Sequence, residues 1–155
     1  MASSRDRSAG ILLYRWGQHS LEVFLGHMGG PFWARKEDGA WSIPKGLVEG
    51  EEDLLATALR EFEEEIGVPA PPIDYRLLGD FRYSSGKLVT IFVGESDLHI
   101  ESVVSEPITV EWPRGTGRMH TFPELDAVQW FSLEAARSKL VKGQVPALDA
   151  LSSIA

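Results

Sequence analysis

The segment from Glu51 to Ile66 constrains the fold more than any other, because it reads as a helix with one apolar face and one acidic face. Leu55, Ala58, Leu59, Phe62 and Ile66 recur at helical spacing and predict a single buried stripe. Gly67 predicts a left-handed end to the helix, and Pro69 blocks its continuation. Glu51 and Glu52 fall in the expected first turn, where the helix dipole favours negative charge. At about 100° per residue, Glu61, Glu64 and Glu65 share a face whose centre lies more than about 90° from the stripe. Thr57 and Leu54 sit beside that face, and Arg60, four residues before Glu64, is placed to hold one of the carboxylates. Glu63 points away from the group and reads as surface charge.

The rest of the chain supplies strands. Ala9–Trp16 and Leu21–His27 are β-like on either side of the turn-prone Gly17-Gln18-His19-Ser20. Met28–Ala40 reads as a long loop, and Trp41-Ser42-Ile43 as a short strand stopped by Pro44. Tyr75–Tyr83 and Lys87–Gly94 predict a hairpin around Ser84-Ser85-Gly86. Ile108–Trp112 and Ala127–Phe131 flank a loop rich in Gly, Pro and Arg. Ser132 is a natural cap for a second helix over Leu133–Val141, and Pro146 opens a short last one. Strands and helices without strict alternation predict an α+β chain, a mixed sheet covered by helices.

Bulk properties narrow the function. The 155 residues suit one domain, expected over 1–155 with residues 1–7 as a flexible tail. The start is polar and no apolar run approaches a membrane span, so the expectation is a cytoplasmic protein with no membrane partner. With no cysteine in the chain, disulfides, thiolate metal sites and a cysteine nucleophile are excluded. A net charge of −8, from 23 acidic and 15 basic side chains, disfavours DNA, RNA or an anionic membrane as partner. A small anionic substrate remains compatible, provided cations and a few local Arg or Lys residues receive it. Monomer and homodimer are both open.

Three carboxylates within about one turn repel one another unless water, Arg or cations separate them. Magnesium takes oxygen ligands, characteristically a few carboxylates together with substrate phosphates. An acidic run on a helix is ordinarily a solvated face; the wider spacing points elsewhere. Gly46, Glu52, Arg60, Glu61, Phe62, Glu64, Glu65, Gly67 and Val68 match G-x5-E-x7-R-E-U-x-E-E-x-G-U, with U apolar, at every specified position. At roughly 0.1 or less per fixed position, chance agreement is on the order of one in ten million per starting residue. The chain therefore resembles the Nudix hydrolases over about Ser8 to Leu140.

That resemblance implies a Nudix fold, an α/β/α sandwich around a curved mixed sheet, and a magnesium-dependent pyrophosphohydrolase for which manganese can substitute. It implies Glu61, Glu64 and Glu65 as metal ligands, with the Gly46 carbonyl as a further candidate, and Glu64, Glu65 and Arg60 as catalytic residues. Glu52 and Arg60 would brace the motif. Glu124, in Phe122-Pro123-Glu124, is the candidate ligand or base from outside the box, and a plain surface carboxylate is the competing reading; Glu106 and Glu111 rank below it.

Substrate choice is less constrained. Trp41-Ser-Ile-Pro44-Lys45-Gly46 and Ala58-Leu59-Arg60-Glu61 resemble the asymmetrical diadenosine tetraphosphate hydrolases, although Gly50-Glu51 shifts that branch's turn glycine by one place. The chain is also similar to bacterial predicted pyrophosphohydrolases that share the G-G-P-F-W loop and F-P-E segment. Candidate substrate contacts are Lys45, Arg35, Trp33 and Arg118, with Lys36, Arg114, Phe32, Trp112, His27 and His120 behind them. The expected substrate is a dinucleoside polyphosphate, diadenosine tetraphosphate giving ATP and AMP. The alternatives are a nucleoside triphosphate giving a monophosphate and pyrophosphate, a capped or 5'-triphosphate RNA end, and a non-catalytic nucleotide sensor.

Overall fold

The computed structural model describes residues 7–155. β1 (Arg7–Trp16) and β2 (Leu21–Met28) form the first hairpin, but they pair only through Tyr14–Val23, Arg15–Glu22 and Trp16–Leu21. Beyond those pairs the strands part, and the segment after the long loop enters the gap. Its first piece, β3 (Trp41–Ser42), pairs with β2; its second, β4 (Lys45–Leu47), pairs with β1. On its other edge β1 runs parallel to β6 (Leu88–Glu95), which pairs in turn with β5 (Arg76–Arg82). The other edge of β2 takes β9 (Leu125–Ser132). The seven strands make one mixed sheet.

Alternation along the central strands separates two cores, because successive side chains point to opposite faces. Ala9, Ile11, Leu13 and Phe24 face α1 (Leu54–Ile66), whose Ala58, Phe62 and Ile66 are buried against them, with Leu55 and Leu59 at the margin. Leu12, Val23 and Leu25 face the other way. They meet Ala136 of α2 (Leu133–Lys139) and Ala147, Leu148 and Leu151 of α3 (Pro146–Ile154). Each large apolar side chain buried in this way contributes about 1.5–3 kcal/mol. Helices on both faces of a mixed sheet give the expected α/β/α sandwich.

Several local expectations are corrected. α1 starts at Leu54 instead of Glu51, because the Asp53 carboxylate accepts the Ala56 N–H at 3.1 Å and caps the helix there. Glu51 and Glu52 therefore precede the helix. Gly67 does close it, at φ 98°, with its N–H on the Glu63 carbonyl. Ser132 caps α2 as predicted, yet α2 stops at Lys139, because Leu140 bridges to Trp41 and the Val141 N–H donates to the Trp41 carbonyl at 2.9 Å. β4 carries no alternation signal and exists because β1 leaves an edge open for it. The Gly- and Arg-rich region is not all loop: β8 (Met119–Pro123) pairs antiparallel with β7 (Pro107–Glu111) in a separate ribbon. Arg7, expected in the tail, opens β1 and donates to Thr90 Oγ1 at 3.1 Å. The other residues of that tail, 1–6, lie outside the described residues.

Candidate active site

The gap between β1 and β2 brings Lys45 and Gly46 under the acidic face of α1. A side chain at Gly46 would put its Cβ 2.0 Å from the Glu61 carboxyl carbon, so Glu61 rests where only glycine leaves room. Arg60 braces this arrangement. Its Nε and Nη2 donate to the two Glu52 oxygens at 3.0 and 2.9 Å, and its Nη1 donates to Glu61 at 2.8 Å and Glu64 at 3.3 Å. Nη2 also donates to the Leu47 carbonyl at 3.3 Å, tying helix to β4. The paired bonds from Arg60, with one from Thr57, hold Glu52 near a pKa of about 2.

Glu65 is the buried member, only 4% exposed, and accepts the Lys45 backbone N–H at 3.0 Å. On the wheel it lies about 20° from Ala58, so the edge of the apolar stripe carries it inward. Burial raises its pKa to about 8; repulsion from Glu124 and Glu61 adds to the rise and Lys45 opposes it. Burial likewise raises Glu61, with Glu64 and Glu124 adding to the rise against the hydrogen bond from Arg60. Glu124 is raised by burial too, with Glu64 and Glu106 adding to the rise and Lys45 opposing it. The candidate from outside the box thus stands among the box carboxylates.

Backbone bonds fix Glu124 there. Its N–H donates to the Glu106 carbonyl at 3.2 Å, and its carbonyl accepts from Gly29 at 2.9 Å. Gly29 must lack a side chain, since a Cβ would come 2.1 Å from the Pro123 carbonyl oxygen. The Glu106 N–H in turn donates to the Glu64 carbonyl at 2.9 Å. Glu106 is exposed and ties Glu124 to α1 through its backbone. Glu111 accepts the Gly115 and Gly117 N–H groups and shapes the ribbon's turn.

Two cavities meet at this point. One, about 420 Å³, is lined by Gly46, Glu61 and Glu64, with Tyr83 and Lys87 also in its wall. The other, about 580 Å³, is an apolar cleft between the β2–β3 loop and the β7–β8 ribbon, lined by Phe32, Trp33, Ile108, Val110, Trp112 and Phe122. Lys45 and Glu124 line both, and Glu65 lines the cleft. Phe32 stands edge-to-face with Trp33 at 4.7 Å and with Trp112 at 5.6 Å.

Of the predicted substrate contacts, Lys45 and Trp33 line the cleft; Arg35 and Arg118 are exposed and line neither cavity. Arg114 does line it, while His120 is exposed on β8 and His27 is buried beside the loop. Sequence reading missed Tyr83, Lys87 and the apolar wall of the ribbon. The turn Ser84-Ser85-Gly86 marked a hairpin, but nothing local said which cavity its end would reach.

The side-chain donors here are all oxygens, from four carboxylates, with Gly46 also in the cavity wall, which suits a hard dication. Glu61, Glu64 and Glu65, expected on one face of the helix, are held by different partners. Arg60 draws Glu61 and Glu64 together, the Lys45 N–H draws Glu65 toward the cleft, and no three acidic or His side chains among the described residues form a preassembled chelate. Like charges crowded against a cationic guanidinium, with three of the carboxyls raised in pKa, make a site whose donor chemistry fits added positive charge.

A NUDIX domain family model matches residues 4–151, and the chain belongs to that family. Among solved structures, a Caenorhabditis elegans Ap4A hydrolase in a binary complex superposes with a TM-score of 0.61 at 20% identity, over 94% of this chain and 96% of that one. The NUDIX domain of Shewanella oneidensis NrtR, complexed with ADP ribose, gives 0.61 at 15% identity over 95% and 86%. Both likenesses are of fold. An mRNA-decapping protein, g5R, of African swine fever virus is 32% identical over 101 residues, 63% of this chain. The chain matches 39% of that protein's length.

Proposed function

We propose that the domain hydrolyses a dinucleoside polyphosphate, with diadenosine tetraphosphate giving ATP and AMP as the leading case, and that magnesium is its cofactor. The observation that carries this reading is the shared wall of Lys45 and Glu124 between an aromatic cleft and a carboxylate cavity with Lys87 in its wall. A base stacked on Trp33 or Trp112 would lead its phosphate chain past Lys45, across the carboxylates and on to Lys87. A long polyphosphate uses both cavities. The Ap4A hydrolase named above supports the same substrate class.

In this reading Glu61, Glu64, Glu65 and the Gly46 carbonyl hold the metal, and Arg60 and Glu52 keep the ligand helix in register. Magnesium, when bound, neutralises phosphate oxygens and acidifies an attacking water. Lys45 orients the phosphate at the junction. Glu124, raised in pKa and fixed by its backbone, receives the proton as the water oxygen bonds to phosphorus and the bridging phosphorus–oxygen bond breaks. The released nucleotide carries away the bridging oxygen and its electron pair.

A nucleoside triphosphate is the second reading, favoured by the single aromatic cleft that meets the carboxylates among the described residues. The test is a substrate screen with product chromatography in magnesium and in manganese, covering triphosphates, diadenosine tetraphosphate, ADP ribose and capped RNA. ATP and AMP from the tetraphosphate, at a rate well above that of triphosphates, is the expected result. Comparable turnover of triphosphates with none of the tetraphosphate rejects the first reading for the second. Preferential cleavage of capped RNA moves the domain toward the activity named for its viral relative.

A further inference from the structure

His27 lies beside the aromatic cleft without lining it, and its two ring nitrogens are both engaged. Nδ1 is 2.8 Å from an Asp126 carboxylate oxygen and Nε2 is 2.7 Å from the Lys36 carbonyl oxygen. Both partners can only accept, so both bonds are made only when each nitrogen carries a hydrogen, that is, by the imidazolium. The side chain is 8% exposed and stands edge-on to Trp41 at 5.1 Å. Water is a poor substitute for either bond in such a place.

The Lys36 end of this contact belongs to the loop that builds one wall of the cleft. The Lys36 N–H donates to the Trp33 carbonyl at 2.9 Å, and Lys36 Nζ sits 3.4 Å above the Phe32 ring centroid and 5.5 Å from that of Trp33. A continuous set of contacts therefore runs from β9, through His27, to the two aromatic side chains. We propose that His27, bonded at both ring nitrogens, is the positioning residue that pins the Phe32–Trp33 loop against the sheet and thereby sets the cleft's affinity for a nucleotide base. The affinity half of this rests on the proposed function; the pin itself does not.

The groups facing His27 are Asp126 from β9, and Lys36 and Glu37 from the loop; β3 offers only the uncharged Trp41. Glu37 is itself 3.6 Å from Lys139 at the end of α2. Burial works against the charge, but the Lys36 carbonyl and the Asp126 carboxylate outweigh it, and the imidazole pKa lies above its ordinary value. A folded pKa raised in this way keeps the pin in place below that value and releases it as pH rises through it.

The test compares wild type, His27→Phe and Asp126→Asn by hydrogen–deuterium exchange and by steady-state kinetics on the best nucleotide from the screen. Phe keeps the ring against Trp41 and removes both N–H groups. Asn at 126 can donate to a neutral Nδ1, so Nε2–H still reaches Lys36 without a charge. In His27→Phe, exchange in residues 29–40 should rise about tenfold or more while β1 and β6 keep their protection. KM should rise about tenfold, with kcat within about threefold. Asp126→Asn should track wild type at pH 5 and keep its loop protected at pH 9, where the wild-type loop loosens once intrinsic exchange is corrected.

Unchanged loop exchange in a folded His27→Phe overturns the pin, and a loosened loop with unchanged KM overturns its role in affinity. Should His27→Phe fail to fold, the wild-type pH series decides: loop protection constant from pH 5 to 9 also overturns it. A wild type that turns over no nucleotide overturns the proposed function and the affinity half with it, while the exchange result still decides the pin.

Discussion

Replacing Glu65 by Gln should stabilise the metal-free protein while removing a residue of the site. Gln keeps an oxygen to accept the Lys45 N–H, now bonded at 3.0 Å, and removes the titratable group from a position 4% exposed. The wild-type carboxyl is raised from 4.5 to about 8. A folded pKa raised above the unfolded one leaves stability intact below the unfolded value and erodes it as pH rises to the folded value. At pH 7 the unfolded chain has ionised Glu65 and the folded one has not. That separation of about 2.5 pH units, at about 1.36 kcal/mol each, amounts to about 3 kcal/mol.

Urea unfolding in EDTA at pH 5, 6, 7 and 8 measures it. The advantage of the variant should start near zero around pH 4.5, reach about 3 kcal/mol at pH 7, and level off above pH 8. Millimolar magnesium should then favour the wild type, since a ligand that binds only the folded state stabilises it. A variant no more stable than wild type at pH 7 and 8 in EDTA would refute the argument, because it would mean that Glu65 ionises in place at little cost.

Three further outcomes are expected. Glu64→Gln should lower magnesium-dependent turnover about a thousandfold with an unchanged melting profile, because the substitution leaves shape alone and removes a charged oxygen donor; activity within a few-fold of wild type would remove Glu64 from the ligand set. Gly46→Ala forces the flexible end of Glu61 off the backbone, so stability should change by less than about 1 kcal/mol while turnover falls about a hundredfold; equal turnover would show that Glu61 does not depend on that contact. Phe62→Ala removes a fully buried ring 6.3 Å from Phe24 and should cost about 3–5 kcal/mol in urea unfolding, and a null effect would misplace the apolar stripe.

The helix-covered mixed sheet and the carboxylate face were legible in the sequence because local periodicity marks them; the α/β/α layering was expected only from the family resemblance. A helix of this pattern buries Ala58, Phe62 and Ile66 on one side and turns Glu61 and Glu64 to the other in any fold that accepts it. Capping by Ser132 and termination at Gly67 are equally local, since each needs only hydrogen bonds within a few residues. Asp53 misled the boundary, because three neighbouring acidic residues compete for the first turn and only the geometry of its side chain picks the cap.

Contacts between distant segments decided the rest. Lys45 and Gly46 lie beneath α1 because β1 and β2 separate, an event that depends on which strands pair and not on any one strand's composition. Glu65 is buried where Glu64 is not because the sheet, and not the wheel alone, sets how far the apolar boundary extends around the helix. Glu124, Tyr83 and Lys87 enter the site through hairpins and a ribbon whose ends are far apart in sequence. His27 is bonded to residues 9 and 99 positions away, a relation that no window of the chain contains. The sequence by itself determined the helix and its acidic surface, since those follow from bonds along one turn; the tertiary structure alone decided which surfaces meet them, since packing is a property of the assembled sheet.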